Sequence, residues 1–138
     1  MGVFGEVAVK ATYLLISKEV SEPRKAWRRA AQALGCSQST MEKSCPISAY
    51  LGLCEEGLVR GVPKPRGPLT RSVDNKGYAV DAVHYLWNDE SWLDKLECLW
   101  SKVIRPKIMK HQGQIDVVFA LWKNDLIIQA PITEQNPN

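Results

Sequence analysis

The residues best placed to do chemistry in this chain are cationic, and they surround a proline-rich interruption. Arg60, Lys64, Arg66 and Arg71 follow one another with no acidic residue between them, and Ser72, Asn75, Lys76 and Tyr78 come directly after. Pro63, Pro65 and Pro68, with Gly61 and Gly67, keep the stretch from Val59 to Arg71 out of any helix or central strand, because proline lacks an amide hydrogen and both residue types break regular structure. An extended surface loop or a short hairpin is predicted there. Ser72 can cap a helix beginning just after it. The free amides and dipole of a helix start attract anions, and flanking cations reinforce that attraction. The pattern predicts a small anionic ligand or a protein partner at the basic loop 59–71 and the following helix start. The competing expectation is plainer: Ser72 only caps, Asn75 and Lys76 face water, and Tyr78 packs the loop on the core.

Other chemistries find little support. A nucleophilic enzyme needs a Ser or Cys beside an oriented base, and the two histidines, His84 and His111, stand near no recognisable nucleophile motif. A cysteine hydrolase would require Cys45 or Cys54 to face one of them. The four cysteines, Cys36, Cys45, Cys54 and Cys98, lack the close spacing of metal knuckles or redox pairs, so buried structural thiols are expected. Cys45 and Cys54 are nine residues apart, about two and a half helical turns, which puts them on opposite sides and rules out a disulfide within one helix. Glu55 and Glu56 are adjacent and point about 100° apart on a helix, so they cannot share a proton or a metal, and they read as a solvated helix end. Gly52 and Gly57 do not form a phosphate-cradling loop, and no lysine stands at the P-loop position. No catalytic residue, metal or cofactor is predicted. The expectation is a non-enzymatic binding or interaction protein.

An alternative places nucleic acid at the same region. Tyr50 to Val62 resembles the part of a winged helix-turn-helix protein where a helix ends at glycine and leads into a basic wing. Ser44 to Glu56 would then be the recognition helix and Lys64 to Arg71 the wing, gripping phosphates. Against it, that helix carries no Arg, Asn or Gln to read bases, while Glu55 and Glu56 oppose the backbone. The net charge of +3 is mild for a dedicated nucleic-acid binder.

The elements that must position these residues are helical. The apolar residues Phe4, Val7, Ala8, Ala11, Leu14 and Leu15 recur at three-and-four spacing and predict a helix from Val3 to Val20. Ser21 is the expected cap of a second helix, with Pro23 in its first turn, Trp27, Ala30, Ala31 and Leu34 on its core face, and Gly35 ending it. Its Arg24, Lys25, Arg28 and Arg29 form a second basic group, expected to face water. Ser37 to Lys43 reads as a short turn, and Pro46 opens a helix whose Ile47, Tyr50, Leu51, Cys54 and Leu58 align before Gly57 breaks it. After the loop come a helix with Ala79, Ala82, Val83 and Leu86, another with Trp92, Leu96, Leu99, Trp100 and Val103 stopping before Pro106, and a last with Ile115, Val118, Phe119 and Trp122. Leu126 to Ile128 is too short to assign. The fold class predicted is mainly α, a single-domain bundle of about six helices over residues 1–130, with a flexible tail at 131–138.

At 138 residues, 45% hydrophobic and 24% charged, the chain has globular proportions and suits one core. No stretch approaches the roughly 20 apolar residues of a membrane span, and Glu6 and Lys10 interrupt the N-terminal apolar pattern, unlike a secretory signal. A cytoplasmic location is expected. Trp87, Trp92 and Trp100 sit at core spacing, although aromatic residues also enrich interfaces and self-association is a second way to use them.

Between Ser44 and Ala82 one set of residues resembles a known family. Cys45-Pro46, Ala49, Leu51-Gly52-Leu53-Cys54-Glu55, Gly57, Gly61, Ser72, Asn75-Lys76 and Tyr78-Ala79 are similar to a family of small uncharacterised bacterial proteins, a domain of unknown function whose members can be encoded on mobile (integron) gene cassettes. The resemblance implies no catalytic residue. It does surround the same loop that composition singles out.

Overall fold

Several helices in this chain start or stop on a local signal. A computed structural model describes residues 2–70, 72–104 and 112–130. The expected stop before Pro106, the position of His111, the role of Arg71 and the tail at 131–138 lie outside them. Among the described residues the architecture is all-helical: six longer helices, one single-turn helix and one 3₁₀ turn.

Helix α1 (Val3–Ile16) buries Val7, Ala8, Ala11 and Leu15 as their spacing predicts. It stops short of Val20. Lys18 takes a left-handed φ of 67°, and the Val20 amide returns to the Leu14 carbonyl at 3.3 Å, closing the helix end. Helix α2 (Pro23–Ala33) buries Ala26, Trp27, Ala30 and Ala31. Its cap is Glu22 rather than Ser21, since Pro23 is itself the first helical residue. Gly35 terminates it at φ 76°, and Leu34, past the last turn, is exposed rather than core. Ser37 caps α3 (Gln38–Met41) by accepting from the Thr40 amide at 3.2 Å.

Helix α4 (Ser44–Glu55) is buried on every side from Pro46 to Glu55, packed by α2, α5 and α7. Sequence spacing foresaw only one of its faces. Enclosed in this way, α4 has no free face to lay in a nucleic-acid groove. Its contact with α5 (Val73–Asn88) is close at Gly52, where a Cβ would stand 2.6 Å from the Lys76 side chain and 2.8 Å from its Cα. Only glycine leaves room for that approach.

The interruption after Gly57 is anchored at its start. Val59 bridges Ile127 in antiparallel fashion, with the Arg60 amide donating to the Leu126 carbonyl at 2.8 Å and the Ile128 amide to the Leu58 carbonyl at 3.0 Å. The chain therefore pairs with the segment after the last helix. Past Asp89, whose carboxylate accepts from the Ser91 amide at 2.9 Å, a 3₁₀ turn (Glu90–Asp94) carries Trp92, followed by α6 (Leu96–Val103) and α7 (Gln114–Lys123). Trp27 and Trp100 are buried, while Trp87 and Trp92 are half-buried against the same core.

Candidate functional site: the cleft between the starts of α4 and α5

The charged residues around the loop mostly meet one another. The Lys76 ammonium lies 2.9 Å from Glu55 Oε1 and 2.7 Å from Glu56 Oε2. Glu55 Oε2 accepts from the Thr70 amide at 3.0 Å and from the Leu69 amide. Glu55 is thus buried, not a solvated helix end. Its flanking position on α4 misleads because the partner is a long flexible cation from α5, which reaches between two carboxylates that cannot meet each other. Burial raises the Glu55 pKa, but the hydrogen bond from Lys76 and those from the Thr70 and Leu69 amides outweigh it, and the net effect is a lowered carboxyl. Lys76 is raised, first by Glu56 and then by Glu55.

The other predicted residues scatter. The Arg60 guanidinium donates to the Asp125 carbonyl at 2.9 Å, to the Ile127 carbonyl at 3.2 Å and to the Asp125 carboxylate at 3.3 Å, so it braces the bridge after α7. The Lys64 stem lies over Gly57, and Arg66 is exposed. Tyr78 is buried, its ring edge-on to Trp100 at 5.1 Å. Asn75 donates to Ser72 Oγ at 2.8 Å and accepts at 2.9 Å from buried Gln114, tying the α5 start to α7. Of the seven predicted residues that are described, Ser72 alone lines the cavity described next.

That cavity, about 760 Å³, is bounded by Arg24, Glu42, Ser44, Ile47, Ser48, Pro68, Leu69, Thr70 and Ser72. Three segments build it. Ser44 and Ser48 stand one turn apart at the start of α4, and Thr70 and Ser72 lead into α5. Arg24 reaches across from α2 and donates to the Leu69 carbonyl at 3.4 Å, which ties α2 to the end of the loop. The α4 cap, Lys43, provides no side-chain acceptor for the first-turn amides. Ser72 Oγ accepts from both the Asn75 amide, at 3.4 Å, and its side-chain nitrogen, and Thr70 Oγ1 accepts from the Ser72 amide at 3.1 Å. Ser48 is only 8% exposed, and its hydroxyl has no hydrogen-bond partner among the described residues. Sequence reasoning missed Ser44, Ser48 and Thr70. The available signal was a serine pair spaced four apart at a helix start that lacks a capping side chain.

A family model described as a family of unknown function (DUF6979) matches residues 1–128. The chain belongs to that family. No curated protein and no solved structure matches it. The match runs well beyond the motif between Ser44 and Ala82 and takes in the Lys76 clamp, the cavity and the Arg60 brace of this DUF6979 domain.

The thiols of the DUF6979 chain differ from one another. Cys54 is buried as expected, and burial pushes it up to about 12, the Tyr50 hydrogen bond only partly offsetting the effect. Burial also holds Tyr50 well above the ordinary phenol range, while its hydroxyl meets Thr12 at 2.8 Å. Such a thiol stays protonated and is a poor nucleophile. Cys36 and Cys45 are half-buried and Cys98 is exposed on the outer side of α6, contrary to a uniformly buried set. His84 is exposed and stacks edge-on against Trp87 at 4.9 Å. Among the described residues no group of three His, Cys, Asp or Glu could hold a metal.

Proposed function

We propose that this DUF6979 domain is a non-enzymatic binding protein for a small molecule, and that its site is the donor-lined cavity between α2, the end of the loop and the starts of α4 and α5. The carrying observation is that Ser44, Ser48, Thr70, Ser72 and Arg24 face one cavity, while Arg60 and Lys76 of the expected site are engaged elsewhere by acids and carbonyls. Two helix starts and a guanidinium favour a ligand that accepts hydrogen bonds. The reading keeps the expected anionic ligand and the expected helix start but moves the site from the loop's middle to its end. It takes the protein to be bacterial, as the motif resemblance implies, and cytoplasmic, as the Glu6 and Lys10 interruptions of the N-terminal apolar pattern suggest. Among the described residues no helix is long and apolar enough to cross a membrane.

Saturation-transfer NMR against a panel of anionic, cationic and neutral metabolites tests it, with Ser44→Trp as the control. Ser44 is exposed at the cavity mouth, so the indole blocks the opening without entering the core. Binding of at least one class by the native protein, abolished in S44W, is expected. Binding of none, or binding that S44W leaves intact, contradicts the proposal.

A further inference from the structure

We infer that the cavity takes a phosphate monoester, with the phosphoryl group held by Ser44, Ser48, Thr70, Ser72 and Arg24; this rests on the small-molecule reading above and names its ligand class. Ser48 comes first: the residue is 8% exposed, it lines the cavity, and its hydroxyl has no protein partner among the described residues, so its proton is available to an acceptor placed there. Ser72 points the same way. A hydroxyl offers one donor and two acceptor sites; both of its acceptor sites are taken by Asn75, and its own proton is left for an outside acceptor. Thr70 has its oxygen on the Ser72 amide and also has a proton to give. The single hydrogen bond of Arg24 among the described residues, to Leu69, uses one of the five guanidinium N–H groups. The α4 start adds amides that no capping side chain serves.

The surplus of donors separates two kinds of anion. A carboxylate presents about four acceptor sites on two oxygens, whereas a phosphate monoester presents three strongly accepting terminal oxygens and close to two charges. Four hydroxyls, a guanidinium and the α4 amides exceed what one carboxylate satisfies. Glu42 lies on the same cavity wall and repels a second anionic group, so diphosphates and nucleic-acid strands fit poorly. Its carboxylate suits hydroxyls on the ligand's organic part, for which about 760 Å³ leaves room. A phosphorylated sugar or polyol has that combination.

Amide chemical shifts of the full chain, titrated separately with glucose 6-phosphate, inorganic phosphate and succinate, provide the test. Glucose 6-phosphate should shift Ser44, Ser48, Thr70 and Ser72 saturably and bind more tightly than inorganic phosphate, since the organic part adds contacts. Arg24→Gln, at an exposed position, should weaken it about tenfold or more by loss of a charge-assisted pair. Ser48→Ala should weaken it several-fold while the protein stays folded. Succinate binding as well as the phosphates at these residues overturns the phosphate assignment and leaves the small-molecule reading standing. Inorganic phosphate equalling the ester overturns the monoester assignment. Shifts at Arg60, Lys64 and Arg66 instead place the anion elsewhere and overturn the inference. No shift with any probe, together with an empty metabolite panel, removes both readings.

Discussion

Leu69 and Thr70 stand between two polar regions that share a wall and behave in opposite ways. On one side their amides close on Glu55, which with Glu56 surrounds the Lys76 ammonium. Every charge there has a partner of opposite sign. On the other side the same two residues line a cavity whose described wall holds four hydroxyls, Arg24 and Glu42, and where Ser48 has no partner among the described residues. The first region is charged and internally satisfied, so it acts as a structural clamp. The second has donors left over, so it is the region proposed to bind. Formal charge along a sequence is therefore a poor guide to a site, because ion pairs cancel it; unmet hydrogen-bond capacity in a concave place is the better one.

The contrast can be broken most severely at the clamp. Lys76→Ala leaves Glu55 buried without its cation and should lower unfolding free energy by about 3 kcal/mol, as read from urea denaturation. Glu55→Gln should cost about 2 kcal/mol at neutral pH and should also change the pH profile. The folded Glu55 carboxyl lies below its ordinary value of 4.5, so its contribution is present above that value and is lost as pH falls through the lowered one. Native protein should lose stability steeply in that acid window, and the variant should lose less. Lys76 is raised above 10.5 in the folded state, so its share is full below that pH and disappears as pH rises through the raised value.

Away from the clamp the effects shrink. Arg60→Ala removes the brace on Asp125 and Ile127 and should cost about 1 kcal/mol, with faster hydrogen exchange at the amides of position 60 and Ile128, which cross the bridge. Ser48→Ala sharpens the contrast from the other side. Deleting a hydroxyl without a partner should leave stability unchanged or raise it by roughly 0.5 kcal/mol. A loss of about 1 kcal/mol or more would mean that Ser48 is satisfied inside the protein.

The helices were legible because their signals are local. The spacing of Val7, Ala8, Ala11 and Leu15, the cap at Ser72 and the glycines at 35 and 57 each act within a turn or two. The burial of Glu55 was not legible, since its cation sits on another helix and nothing near Glu55 in the chain announces it. Nor was the enclosure of α4, whose single apolar stripe hides small residues at Ser48, Ala49 and Gly52 that let neighbours close in on the remaining sides. The cavity draws on Arg24, Ser44, Ser48 and Thr70 from three separate segments, and only Ser72 was singled out beforehand, by its role as a cap. A serine inside an apolar helix looks like filler until the fold shows what it faces.

The central claim is that binding capacity lies with the unpartnered hydroxyls and not with the loop's charges. The most direct measurement is the affinity for glucose 6-phosphate of two variants beside the native protein: Ser48→Ala, and Lys64→Ala combined with Arg66→Ala. The account predicts that the serine variant loses several-fold in affinity while the double loop variant stays within about twofold of native. The reverse order, with the loop variant weakened and the serine variant unchanged, would contradict it.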